Sequence, residues 1–192
     1  MPNPVAIGET APQTALPAQV DIYDFDKTLV PFDSGSLFIG YCALHYPWVL
    51  VYLPVWFIAC LLFALRVLSL QKFKNLCFGF LPMVPVQRAA KGFWEKHLHQ
   101  VYPWFTQKKR PAVIISASPD FLLEELQRRL GLPYLLCTRH NPKTGRVLGQ
   151  NCRGEEKVRR FHRAFPGVQV VDVYVLQFTG CLLYTSDAAD DK

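Results

Sequence analysis

Four short apolar segments recur along the chain, and each of them ends in polar or turn residues. They are Val20–Tyr23, Ala112–Ile115, Tyr134–Cys137 and Val168–Tyr174. Short apolar runs with such boundaries are typical of β-strands. Helical patterns lie between the later runs, and alternating strands and helices favour parallel pairing with right-handed crossovers. The pattern therefore predicts an α/β protein with a Rossmann-like parallel sheet.

Two helices are predicted with clear ends. After the second apolar run, Ser118 is placed to cap a helix, Pro119 suits its first position and Asp120 suits the positive end of its dipole. Gly131 is suited to close this helix. Its apolar face consists of four leucines, Leu122, Leu123, Leu126 and Leu130. A second, basic helix with one apolar side is predicted over Glu155–Phe165.

A different pattern separates the first two strands, because Tyr46–Leu65 is a 20-residue apolar run without a charge. This length just suffices to span a bilayer. One crossing would place the ends of the two strands on opposite sides of the membrane, and the only return segment, Phe73–Val86, is short and broken by prolines. We therefore favour a helical insertion whose apolar face lies in the membrane interface. Fully buried helices and a true span are the alternatives. Four aromatic residues of this run are expected mainly to pack, namely Trp48, Trp56, Phe57 and Phe63.

Composition narrows the class of protein. The 192 residues suit one ordinary domain, and 51% hydrophobic with 19% charged residues excludes a disordered chain. The net charge of +6 fits a polyanion, an anionic membrane or a phosphorylated substrate. The six cysteines show no C-x-x-C spacing, which indicates reduced thiols of a cytoplasmic protein. Residues 1–19 contain no Lys or Arg and no long apolar run, so we expect a flexible N-terminus rather than a signal peptide.

Candidate chemistry follows the first predicted strand, where Asp24 and Asp26 lie two residues apart. In an extended chain such residues point to the same side, roughly 6.5–7 Å apart. Two carboxylates beyond the carboxyl end of a strand face the crevice where open α/β sheets bind ligands. Keeping both carboxyl groups ionised costs free energy unless a cation binds between them. An exposed acidic turn is the alternative interpretation.

With these residues the sequence resembles the haloacid dehalogenase (HAD) superfamily of phosphohydrolases. Residues 24–28, with the sequence DFDKT, match its first motif, D-x-D-x-T. Ser116 after the second strand matches the second motif, and Lys157 at the start of a helix matches the third. The resemblance covers about residues 20–174. Its helical-cap subclass includes the phosphoserine phosphatases and the bacterial phosphatidylglycerophosphate phosphatases, and the apolar insertion looks most like the latter.

This resemblance implies a domain organisation and a role for each residue. Residues 20–34 and 106–174 would form the HAD core, and 35–105 an apolar helical cap. Asp24 would attack phosphorus and carry an aspartyl-phosphate, while Asp26 would act as general acid and then as general base. Mg²⁺ would bind the Asp24 carboxylate and the Asp26 backbone carbonyl. Ser116 and Lys157 would bind the phosphoryl group, and Thr28 would brace the motif loop.

Several of these residues have simpler interpretations. Taken alone, Ser116 is an ordinary strand-end hydroxyl, and Lys157 is one of several solvated basic residues. Asp33 either binds the substrate, as the phosphoserine phosphatase resemblance implies, or caps a helix that begins near Ser34. Three histidines lack partners at a metal-ligand spacing and are expected at the surface, namely His97, His99 and His140.

The expected substrate follows from the apolar insertion. A cap of this kind above a phosphate site favours a lipid phosphate such as phosphatidylglycerophosphate. Four basic residues near the cap would help the protein dock peripherally on the inner face of the membrane, namely Lys72, Lys74, Arg88 and Lys91. A soluble small-molecule phosphatase of the phosphoserine phosphatase type, or an inactive fragment of either enzyme, is the alternative. No nucleic-acid-binding motif appears, so we expect no nucleic-acid partner.

The C-terminal residues depart from the family pattern. The fourth HAD motif carries acids just after a strand equivalent to Val168–Tyr174, but residues 175–180 contain none, and Asp172 lies inside the strand. Residues 181–192 resemble the translation of an adapter used in sequencing libraries. We therefore expect 175–192 to be a non-native tail of a truncated chain that lacks its last strand. Weak Mg²⁺ binding and slow turnover would follow from the missing ligand.

Overall fold

The computed structural model describes residues 16–108 and 110–175. The predictions for residues 1–15 and for the tail from residue 176 onward lie outside the described residues.

The described strands form one four-stranded parallel sheet with the order β3-β2-β1-β4. The strands are β1 Gln19–Tyr23, β2 Ala112–Pro119, β3 Tyr134–Thr138 and β4 Gln169–Tyr174. This confirms the predicted α/β class with a parallel sheet. The chain first builds outward from β1 to β3 and then returns to the other side of β1 with β4. The carboxyl end of β1 therefore lies at the switch point of the topology, where open α/β sheets bind ligands.

Alternate side chains of the strands enter two separate hydrophobic clusters, as the period of two in a strand requires. Val20 and Ile22 of β1 join the cluster that contains Phe161 and Phe165. Tyr23 continues the alternation and belongs to the other, larger cluster. Both faces of the sheet are therefore covered at β1, β2 and β3, which explains why these strands are largely apolar. The edge strand β4 is mostly exposed.

Six α-helices complete the described fold. They are α1 Ser34–His45, α2 Leu53–Ala64, α3 Leu70–Cys77, α4 Val86–His97, α5 Asp120–Leu130 and α6 Glu155–Ala164. The first four lie between β1 and β2, together with short 3-10 turns, and residues 34–107 are called the helical segment below. Helix α5 connects β2 to β3, and α6 connects β3 to β4.

The junction of β2 and α5 differs in detail from the sequence prediction. The strand continues to Pro119 instead of ending at Ile115, and Pro119 rather than Ser118 occupies the N-cap position. The prediction that Ser118 caps the helix is therefore wrong, because its hydroxyl is used elsewhere, as described below. The predicted C-terminus is confirmed, since Gly131 closes α5 in the left-handed conformation with φ 61°.

The helical segment has an inner and an outer side. On the inner side, α4 buries Phe93 and Trp94, and the indole of Trp94 donates a hydrogen bond to the carbonyl oxygen of Leu122 at 2.8 Å. On the outer side, α2 buries only Ala59. The run Pro47–Ala64 is long and apolar enough to cross a membrane by length and composition, yet only 11% of it is buried in the protein.

Large apolar side chains of this run are exposed instead, and together they are called the outer surface below. They are Trp48, Leu50, Val51, Leu53, Phe57, Ile58, Leu61 and Phe63. Trp48 is 55% and Phe57 is 72% exposed, so the expectation that these two mainly pack is wrong, as is the alternative of fully buried helices. Trp56 does pack, and its indole donates to the carbonyl oxygen of Cys77 at 3.0 Å.

Candidate active site

Asp24 lies immediately after β1, where the apolar strand emerges from the sheet. Its backbone N–H continues the pairing with β4 by donating to the carbonyl oxygen of Tyr174 at 3.0 Å. Its Oδ1 accepts hydrogen bonds from the backbone N–H of Phe25 at 2.9 Å and from the Lys157 ammonium at 2.7 Å. The two side chains of this ion pair are 21% and 14% exposed, respectively. Lys157 is therefore held against Asp24 and is not a solvated basic residue.

Asp26 is held by hydrogen bonds on both carboxylate oxygens. Oδ1 accepts from the backbone N–H of Ser34 at 2.9 Å, and Oδ2 accepts from the hydroxyl of Ser118. Burial raises the pKa of Asp26 from its ordinary value to about 6, although the hydrogen bond from Ser118 acts in the opposite direction. A carboxyl group with this pKa exchanges its proton close to neutral pH, as a general acid and base requires.

A tight turn connects the two acids to the helical segment. The backbone N–H groups of Thr28 and Leu29 both donate to the carbonyl oxygen of Phe25, at 3.1 and 2.8 Å. Lys27 adopts a positive φ of 60°, which is uncommon for a residue with a side chain. Thr28 is buried within this turn. The turn fixes the path between Asp24 and Asp26.

Ser116 is buried in the second half of β2, and its Oγ accepts a hydrogen bond from the backbone N–H of Ser118 at 3.0 Å. It thereby braces the last residues of β2, from which Ser118 reaches Asp26. This role of Ser118 was not predicted from the sequence. The spacing Ser116-Ala117-Ser118 was a usable signal, because residues two apart in an extended chain lie on the same side.

Asp33 caps α1, because its Oδ1 accepts from the backbone N–H of Ser36 at 2.8 Å. The capping interpretation is thus confirmed, while the substrate contact stays a prediction. Asp172 faces away from this site. It pairs with Arg110 and lies level with Asp21 in the sheet register, three residues before Asp24.

Two residues are not where the sequence analysis expected them. His140 is only 3% exposed rather than on the surface, and burial lowers its pKa to about 4, so it is neutral at physiological pH. Its backbone N–H donates to Asp120 at 3.1 Å. Lys74 was expected to dock on a membrane, but its ammonium points into the protein, 2.7 Å from the carbonyl oxygen of Ala117.

The site thus combines two acids, a lysine and a serine-bearing loop at the carboxyl ends of β1 and β2. Carboxylate and carbonyl oxygens are the ligands that Mg²⁺ prefers, so Asp24 and Asp26 fit a hard divalent cation by chemistry. Within residues 16–108 and 110–175, no group of three or more His, Cys, Asp or Glu side chains could hold a metal ion.

These features form a candidate active site at the switch point of a parallel α/β sheet. A family model of haloacid dehalogenase-like hydrolases matches residues 22–178. The chain therefore belongs to the haloacid dehalogenase-like hydrolase family, as the motif order predicted. A comparison with curated protein sequences gives no match.

Solved structures with the same fold share little sequence with this chain. A protein of unknown function from Bordetella pertussis Tohama I has 17% identity and a TM-score of 0.63, with 76% of this chain and 73% of the other covered. A phosphoserine phosphohydrolase-like protein from Francisella tularensis has 16% identity and a TM-score of 0.53, with 80% and 76% covered. A HAD family hydrolase from Salmonella enterica serovar Typhi has 16% identity and a TM-score of 0.54, with 81% and 56% covered. At these identities the likeness concerns the fold.

Proposed function

We propose that this protein is a Mg²⁺-dependent phosphomonoesterase that acts through an aspartyl-phosphate on Asp24. The observation that carries the proposal is the 2.7 Å contact between the Lys157 ammonium and Asp24 Oδ1. It joins residues 133 positions apart in sequence, from the ends of different elements. A cation at this distance offsets the repulsion between a carboxylate nucleophile and the phosphoryl oxygens.

The reaction proceeds in two displacements. A carboxylate oxygen of Asp24 forms a bond to phosphorus while the ester P–O bond breaks, and Asp26 protonates the departing oxygen. Asp26 then takes a proton from water, which attacks the acyl phosphate and releases inorganic phosphate with Asp24 regenerated. The Asp26 pKa of about 6 supports both roles. Ser116 and Lys157 bind the phosphoryl oxygens, and Asp33 contacts the substrate beside them.

The metal would be held by the carboxylate of Asp24 and the backbone carbonyl of Asp26. When bound, Mg²⁺ supplies positive charge that neutralises the phosphoryl oxygens. We expect its affinity and the turnover to be low, because hard cations need several oxygen ligands and these two residues supply few.

Hydrolysis of p-nitrophenyl phosphate tests this proposal. We expect Mg²⁺-dependent release of phosphate that Asp24→Asn abolishes, because an amide is not a nucleophile at phosphorus. Asp172→Asn is the matched control, since it removes an exposed carboxylate of the same sheet that pairs with Arg110. Undiminished activity in Asp24→Asn would refute the mechanism.

We further propose that residues 35–105, nearly all of the helical segment, form a cap on a core of residues 20–34 and 106–174, and that this cap docks peripherally on an anionic membrane. The outer surface supports this, because soluble monomers rarely expose apolar patches of this extent. Trp48 and Phe57 suit the interface between water and lipid. A lipid phosphate such as phosphatidylglycerophosphate would then reach the site from the membrane.

Sedimentation with vesicles of phosphatidylglycerol and phosphatidylcholine tests the docking. The wild-type protein should sediment with the vesicles, and Phe57→Asp combined with Leu61→Asp should leave it in the supernatant. Leu148→Asp is the matched control, since Leu148 is exposed but lies outside the helical segment. If the wild-type protein does not bind vesicles and hydrolyses phosphoserine faster than a lipid phosphate, the alternative of a soluble small-molecule phosphatase would replace this proposal.

A further inference from the structure

Lys74, in the third helix of the helical segment, reaches across to the end of β2. Its ammonium lies 2.7 Å from the carbonyl oxygen of Ala117 and 2.9 Å from Oδ1 of Asn151, and it donates to both. Asn151 is fixed in turn by the hydroxyl of Thr138, 2.9 Å from the same oxygen. Two of the three ammonium hydrogens are thus directed at neutral oxygens.

This position lies beside the catalytic acids. Ala117 stands between Ser116 and Ser118, and the hydroxyl of Ser118 donates to Asp26. The negative charges of Asp26 and Asp33 stabilise the ammonium form of Lys74. Lysines from two different parts of the fold, Lys74 from α3 and Lys157 from α6, therefore flank one site.

The charge of Lys74 is incompletely balanced. Among residues 16–108 and 110–175, Lys157 forms an ion pair with Asp24, whereas no carboxylate forms one with Lys74. Burial accordingly lowers the pKa of Lys74 to about 8. A half-buried cation next to neutral acceptors costs free energy, which an anion bound nearby would recover.

We propose that Lys74 is a second cationic contact for the phosphoryl group of the substrate, supplied by the helical segment rather than by the α/β core. The inference rests on the proposed function, since it assumes that a phosphoryl group binds at Asp24. If so, the α/β core and the helical segment bind the same anion, and bound phosphate stabilises the contact between these two parts.

Binding of inorganic phosphate, measured by isothermal titration calorimetry, tests the contact without any turnover. We expect Lys74→Met to weaken phosphate binding at least about tenfold, because the variant loses a charged hydrogen-bond donor to the anion. Lys74→Arg should retain most of the affinity because it keeps the charge. Lys72→Met is the matched control, an exposed lysine two residues earlier on the same helix. Unchanged affinity in Lys74→Met would overturn the inference.

A second measurement uses the wild-type protein and does not depend on whether a variant folds. Reductive methylation followed by mass spectrometry should show that phosphate protects Lys74 but not Lys72 from modification. Lack of protection at saturating phosphate, or no phosphate binding, would overturn the inference. A chain that binds phosphate through Lys74 but hydrolyses no ester would contradict the proposed function alone. If the protein hydrolyses the ester and Lys74→Met leaves the phosphate affinity unchanged, that result would contradict this inference alone.

Discussion

Helices α2 and α4 have the same length of 12 residues and belong to the same helical segment, yet they bury very different surfaces. Helix α4 is amphipathic, and its apolar face buries Ala89, Ala90, Phe93 and Trp94 against the core. Helix α2 is apolar on all sides but buries only Ala59. The more hydrophobic helix is therefore the more exposed one.

The difference shows what a hydrophobic pattern specifies. The sequence pattern of an amphipathic helix indicates which of its faces packs against the protein, because the other face must remain in water. The pattern of a helix that is apolar on all sides indicates only that the helix needs an apolar environment. That environment is either a protein core or a lipid bilayer. In this molecule the inner side of the helical segment faces the core and the candidate active site, and the outer surface remains without a protein partner among the described residues.

The largest effect on stability is expected for a substitution on the inner side of the helical segment. Phe93→Ala should lower the free energy of unfolding by about 3–5 kcal/mol, because Phe93 is fully buried and the change leaves a cavity. Urea denaturation followed by tryptophan fluorescence measures this loss. A cost below about 1 kcal/mol would mean that α4 is not packed as described.

The next effect concerns the loop of residues 139–151, on which the end of α3 rests. Gly145 has a positive φ of 70°, and a Cβ there would overlap the backbone carbonyl of Phe78. Gly145→Ala should therefore cost more than about 2 kcal/mol. Gly131→Ala is its control, with a similar φ of 61° but open space around the Cβ, and should cost about 1 kcal/mol. Equal costs in thermal denaturation would show that the loop does not rest on α3.

The sequence predicted what local patterns and motif order encode. The strands are short apolar runs, and α5 ends at Gly131. The resemblance to a family assigned Asp24 and Lys157 to one site, and the structure brings them into contact. Ser118 was assigned to a helix cap because only its neighbours in sequence were considered. Its actual partner, Asp26, is 92 residues away.

Other features could not be predicted because they depend on how the helical segment packs. Lys74 lies in a stretch with other basic residues, and nothing local distinguishes it from the exposed Lys72. His140 became buried because Phe78 of the helical segment and Phe121 of α5 pack against its ring. The apolar pattern of α2 suits an interfacial helix, a buried helix and a true span alike, and its exposure fits the first and the third.

The candidate active site, which the inner side faces, contains a buried carboxyl group, Asp26, and this gives a pH-dependent prediction. The pKa of Asp26 is raised from 3.8 to about 6, so the folded state favours its protonated form. The stability that this form contributes is complete below pH 3.8 and is lost as the pH rises through about 6. Asp26→Asn mimics the protonated form. It should raise the free energy of unfolding at pH 7.5 by up to about 3 kcal/mol and change it little at pH 3.5.

Urea denaturation at the two pH values, in buffer with a metal chelator, measures this difference. Asp172→Asn should give no such gain at pH 7.5, because Asp172 is exposed and pairs with Arg110. If Asp26→Asn instead destabilised the protein at pH 7.5, the hydrogen bonds of the ionised carboxylate would outweigh the cost of its burial.

The smallest effect on stability is expected at the outer surface, where Phe57→Ala repeats the substitution made at Phe93. Phe57 is 72% exposed, so its removal in water should change the free energy of unfolding by less than about 0.5 kcal/mol. The same variant should bind anionic vesicles several-fold more weakly, because the ring contributes to burial in the lipid interface. A loss above about 2 kcal/mol in buffer would show that a second copy of the chain or another part of the protein covers α2 in solution. The outer surface would then be a protein interface, and the contrast between α2 and α4 would disappear.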